Sequence, residues 1–135
     1  MSTECKPKVI LLLQKSAPYR NSFVIVVGCF CLWGALIHLA DLLSLRRDFS
    51  LLSTAWQWAT IYLLFVDTMG AVGIFLKKAW GILFYVFAAL PQTVGYIFIQ
   101  SIFGSQPLLL FLHIFFLTGL LYFLAAEMVM EHGET

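Results

Sequence analysis

The chain has 135 residues, of which 61% are hydrophobic and only 11% charged, with a formal net charge of +1 at pH 7. An average soluble domain is ~25% charged, so a water-soluble fold of this size would have to hide more apolar surface than it can enclose. The near-neutral charge gives no reason to expect nucleic acid as a partner, and three cysteines do not make a disulfide framework.

Residues 1–21 read as a basic cytoplasmic arm. Lys6 and Lys8 ahead of Val9–Leu13 have the outline of a signal peptide. That run is shorter than the ~7–15 apolar residues an h-region needs, and no small-x-small cleavage site follows. Flanked by Lys8 and Lys15, the Val9–Leu13 patch suits the membrane surface. Four apolar blocks follow, at 22–44, 53–76, 79–101 and 107–128. Each matches the ~20 residues that cross a ~30 Å hydrocarbon layer.

Local chemistry marks the joints. Asn21 or Ser22 is placed to cap the first helix, and Thr54 with Gln57 three residues on has the capping-box pattern for the second. Cys29 and Cys31, two apart on the first block, point to nearly opposite faces and cannot share a metal. Arg46-Arg47-Asp48, Lys77-Lys78 and Gly104-Ser105-Gln106 form the loops, and Pro107 suits the first turn of the fourth helix. A short acidic tail, 129–135, completes the chain. Every block is apolar around its full circumference, which a surface helix of a soluble protein cannot be. Period-two alternation, the mark of a membrane barrel, is absent. The fold class is all-α, an integral membrane four-helix bundle in contact with the lipid bilayer.

Orientation follows from lysine and arginine. Of the eight, Lys6, Lys8, Lys15, Arg20, Lys77 and Lys78 lie on one side and only Arg46 and Arg47 on the other. Both termini are therefore expected in the cytoplasm.

The blocks also carry stripes. Gly28, Cys31, Gly34, Ala35, His38 and Asp41 recur at helical steps on the first block, Gln57, Thr60, Asp67 and Gly70 on the second, and Gly81, Tyr85, Ala88, Gln92 and Gly95 on the third. Small residues let helices approach closely in lipid, and polar ones hydrogen-bond across the seam. These faces are expected to turn inward. The fourth block is less decided, because His113 and the set Thr118, Tyr122 and Ala125 lie on different faces. At ~1.5 Å per residue, His38, Asp41, Gln57 and His113 fall in one outer layer, while Asp67 sits near the midplane with Gln92 slightly outward.

A charged aspartate at a helix centre costs ~2.5–3.5 kcal/mol on insertion scales, so Asp67 should face protein. Pro91 cannot donate to the Phe87 carbonyl and so frees it, and a protonated Asp67 could donate to that carbonyl or to Gln92. The plainer role for Asp67 is a staple between the second and third helices; the sharper one is a proton- or ion-binding carboxylate. For His38, Asp41 and His113 the plainer role is an interfacial polar cluster. The sharper ones are a pair of axial haem ligands, His38 and His113, or a first-row transition-metal set of His38, Asp41 and His113. Glu127 and Glu131, one turn apart, form an acidic end that faces Lys77, Lys78 or the basic arm.

The strings Ala35-Leu-Ile-His38, Trp56-Gln57, Ala71-Val-Gly-Ile-Phe-Leu76 ahead of Trp80-Gly81, and Pro107-Leu-Leu-Leu-Phe-Leu-His113 carry a resemblance over most of residues 22–125. Together they resemble an uncharacterised family of small four-span bacterial inner-membrane proteins, a domain of unknown function. The resemblance implies a four-helix bundle in a bacterial cytoplasmic membrane and carries no activity over, because the family has no assigned catalytic residues. Three functions remain open: a non-enzymatic bundle that assembles with itself or a larger membrane complex, a proton- or ion-coupled transporter module using Asp67, and a haem- or metal-binding redox protein using His38 and His113.

Overall fold

The computed structural model describes the backbone of residues 8–132 and the side chains of residues 18–129. Cys5 and the side chains of Val9–Leu13 and of residues 130–135, including Glu131 and His132, lie outside what is described. The elements are α1 (Lys8–Leu42), a 3-10 turn at Phe49–Leu51, α2 (Thr54–Phe75), α3 (Ala79–Phe98), a single-turn α4 (Gln100–Phe103) and α5 (Pro107–His132). There is no strand among the described residues. Four helical stretches, Pro18–Leu42, Thr54–Phe75, Ala79–Phe98 and Pro107–Val129, are long and apolar enough to cross a membrane.

Three local expectations change. The first helix does not begin at Ser22 but continues back to Lys8 through Pro18. Ser22 turns its hydroxyl onto the Pro18 carbonyl instead of capping (3.2 Å). Ser53, not Thr54, caps α2 by accepting from the Trp56 amide (3.4 Å). That register puts Gln57 one residue too far along for a capping box, and its amide donates to the Phe49 carbonyl (3.0 Å). The third span is also shorter than 79–101, because α3 stops at Phe98 and the chain re-enters a helix for one turn. Gly104, at φ 71, then breaks the helical path in a conformation that suits a residue without Cβ.

The helices form a ring in which α1 packs along α2, α2 along α3, and α5 closes the circuit by touching α3 and α1. The start of α1 and the end of α5 therefore lie at one end of the bundle, the terminal end, with the Arg46–Asp48 and Gly104–Gln106 segments at the other, the loop end. The inward stripes hold. Cys31, Ala35, His38, Asp41, Thr60, Asp67, Tyr85 and Ala88 are all buried. On α5, His113 faces in and Thr118, Tyr122 and Ala125 face out.

Glycine explains the close approach of the first three helices. A Cβ on Gly73 would lie 2.5 Å from the Gly81 Cα, and one on Gly28 would lie 2.7 Å from the Ile74 side chain. Helix α5 is joined differently, through rings. Phe116 meets Phe23 (5.8 Å between centroids) and Phe30 (5.1 Å), and Phe23 covers Gly119. An ion pair between Arg20 and Glu127 ties α1 to α5 at the terminal end, which makes the basic arm the partner of that glutamate. The main core, built on Val27, Cys31, Ala71, Ile74, Tyr85, Ala89 and Phe116, fills the terminal half. A smaller cluster, Leu63, Val66 and Ala88, packs between α2 and α3, and the loop half also contains a cavity.

Candidate functional site: a polar chamber at the loop end

Between the loop-end halves of α1, α2, α3 and α5 lies a cavity of about 140 Å³. Helix α1 supplies Gly34, His38 and Asp41, spaced so that they share one face. Asp67 enters from α2, Gln92 and Tyr96 from α3, and His113 from α5, while Arg46, Arg47 and Trp56 stand at the mouth.

Asp67 fits because Gly34 has no side chain; a Cβ there would lie 2.6 Å from the Asp67 Oδ2. The titratable group that faces that carboxylate is His38, with Nε2 at 3.8 Å from Oδ2. The separation is within ion-pair range but too long for a hydrogen bond. The partners expected for Asp67 are otherwise engaged. Tyr62 donates to the Phe87 carbonyl that Pro91 leaves open (2.8 Å). Gln92 donates to the Ala88 carbonyl (3.3 Å) and accepts from the Tyr96 hydroxyl (3.4 Å). Asp67 therefore joins α2 to α1 and not to α3.

The outer and central layers thus merge into one chamber. His113 lies against Tyr85, with Oη 3.5 Å from Nδ1, and meets the edge of Phe30 at 5.3 Å. If the buried Tyr85 hydroxyl donates to Nδ1, the His113 proton resides on Nε2. That Nε2, together with His38 Nδ1 and Asp41 Oδ1, is buried without a hydrogen-bond partner. All three belong to residues that line the cavity. Buried polar atoms are nearly always satisfied, so three orphans around one space mark it as a place for water or a polar ligand.

Among the described residues, no three His, Cys, Asp or Glu side chains come together so as to hold a metal ion. His38, Asp41 and His113 share the chamber as separate groups. Gln57, placed in the same layer from sequence, is turned to the Phe49 carbonyl and does not line the cavity. Tyr85 acts from behind, as support for His113.

Sequence reading missed the mouth. Arg46 Nη1 lies 3.5 Å and Arg47 Nη2 3.7 Å from the same Asp41 Oδ2. The Arg47 guanidinium also sits over the Trp56 ring, 5.5 Å from its centroid. Trp56 is held in turn by donating to the Ile102 carbonyl (2.8 Å) and by the edge of Phe103 (5.1 Å). The loop geometry folds the arginines back. Ser44, at φ 56, terminates α1, with Leu45 N–H reaching the Ala40 carbonyl and Ser44 N–H the Asp41 carbonyl. The available signal was a basic pair five and six residues beyond an aspartate on the inward stripe.

A ring of four membrane-length helices enclosing a one-ended polar chamber defines the class as a small, four-span helical bundle of membrane-protein type. The chain belongs to the Family of unknown function (DUF6163), whose model matches residues 19–132. That assignment agrees with the resemblance to an uncharacterised family of four-span proteins. No curated protein and no solved structure matches the chain.

Proposed function

We propose that this chain is a multi-pass protein of the bacterial cytoplasmic membrane, with both termini inside, and that its chamber binds a proton or small ion at Asp67. One observation supports the reading above the others. Asp67 accepts no hydrogen bond among the described side chains and faces a polar cavity with His38 at 3.8 Å. A carboxylate serving only as a staple would be closed in by its partners, since an unmet polar group at membrane depth is expensive. The six-to-two division of lysine and arginine supports the orientation. In liposomes carrying a pH-sensitive dye and an imposed gradient, the wild-type chain should move protons or a coupled ion, and Asp67→Asn should abolish the movement. Wild-type flux no greater than that of empty liposomes, or unchanged flux in the variant, would contradict the reading.

Assembly with itself or with a larger membrane complex is the second, non-enzymatic reading. The small-residue stripes that motivate it are used up inside one chain, so its support now rests on α5. Within its apolar window that span is 17% buried, against 44% for the second span. Native electrophoresis of the same preparation reads it, and a single-chain species counts against assembly.

A further inference from the structure

We infer that the mouth of the chamber is a binding site for a phosphate group, formed by Arg46 and Arg47 on a Trp56 platform. The inference does not depend on a coupling role for Asp67. Two guanidiniums are held within 4 Å of one carboxylate oxygen, at 3.5 and 3.7 Å. Asp41 carries a single negative charge, so the trio retains one positive charge in a small volume. Asp41 offsets only part of the repulsion between the two guanidiniums, and a second anion would offset the rest.

Among the described residues, no other acid is paired with these arginines. Asp48, next in sequence, caps the 3-10 turn by accepting from the Ser50 amide (3.0 Å) and hydroxyl (2.7 Å). Asp67 is deeper and faces His38. Asp41 approaches from inside the bundle, where its side chain is 5% exposed, whereas Arg46 and Arg47 are 44% and 46% exposed. The guanidinium forks therefore keep donors directed outward. Stacking on Trp56, itself locked by Ile102 and Phe103, orients the Arg47 fork before any ligand arrives. Planar, preoriented forks are the donor geometry that phosphate oxygens accept in pairs.

The position also suits the ligand. Arg46 and Arg47 follow the end of α1 at Leu42, and Trp56 lies in the first turn of α2. With the apolar helices in a bilayer, this places the site at headgroup depth. The phosphate can belong to a lipid headgroup or to a free solute, and the chemistry at the site is the same.

The test is a titration of the full-length chain in a neutral detergent, read by the thermal unfolding midpoint and by tryptophan fluorescence. One arm adds phosphatidylglycerol; another adds inorganic phosphate, with chloride at matched ionic strength as reference. Wild type should respond to at least one phosphate source beyond chloride. A response to the lipid alone identifies a headgroup site, and an equal response to inorganic phosphate identifies a solute site. Arg46→Gln and Arg47→Gln should each weaken the response about tenfold or more, the loss of a charge-assisted contact. Arg47→Lys, which keeps the charge but loses the fork, should weaken it by less. The double variant Lys77→Gln with Lys78→Gln, which removes two charges at the terminal end, should leave it unchanged. No response beyond chloride, or equal weakening by the lysine variant, would overturn the inference.

Discussion

An alanine at position 34 would place its Cβ 2.6 Å from Asp67 Oδ2 and 3.1 Å from Cγ, so the carboxylate would have to leave its place beside His38. Overpacking of this kind costs about 1–3 kcal/mol. Gly34→Ala should therefore lower the unfolding midpoint and, in liposomes, mimic Asp67→Asn. In an Asp67→Ala background the same substitution should cost much less, because the colliding atoms are gone; equal penalties in the two backgrounds would show that Gly34 matters for another reason. Most of the residues concerned were legible from spacing alone. His38, Asp41, Asp67, Gln92 and His113 all line the chamber. Their pairing was not legible, because periodicity fixes which face a residue occupies but not its rotation toward a particular neighbour. Spacing alone therefore points Asp67 toward α3, while Tyr62 and Tyr96, which lie outside the stripes, engage the groups it was expected to use.

At the scale of elements, two kinds of joint hold the bundle. Where Gly81 meets Gly73 and Ile74 the contact is backbone against backbone, and neither side can yield. Gly119 meets the Phe23 ring, and Gly95 meets the Phe103 ring at 3.2 Å; a ring can rotate or shift. Alanine substitutions should therefore destabilise in the order Gly81, Gly119, Gly95, with Gly81→Ala at or above the upper end of the ~1–3 kcal/mol overpacking range. Unfolding of each variant in a mild detergent titrated with a denaturing one reads the order, and a Gly95 penalty exceeding that of Gly81 would refute it. The spans themselves were readable to within a few residues because hydropathy determines them. Their caps were not. Ser53 and Thr54 are both common N-cap residue types, and periodicity does not fix which of two neighbours starts the helix.

For the bundle as a whole, four alternating spans would put the start of α1 and the end of α5 on one side, and the Arg20–Glu127 contact agrees with that arrangement. Which side is set by charge. In a chain with its native cysteines replaced, a membrane-impermeant maleimide applied to intact cells should label Ser50→Cys and spare Lys78→Cys. The reverse pattern would invert the proposed orientation. Both positions are exposed, so accessibility within the protein does not bias the comparison. The chamber would then open toward the outside, and the filled terminal half would separate Asp67 from the cytoplasm.

The pairing of His38 with Asp67 also bears on how the chain is made. A ribosome delivers the first two spans before the third and fourth exist, at ~5–20 residues per second. During that interval an aspartate on the second span would meet hydrocarbon unless an earlier segment shielded it. Its partner lies on the span made just before it, beside a glycine that leaves room for it. The nascent chain thus carries its own escort for its most difficult residue, ahead of the helix that completes the chamber.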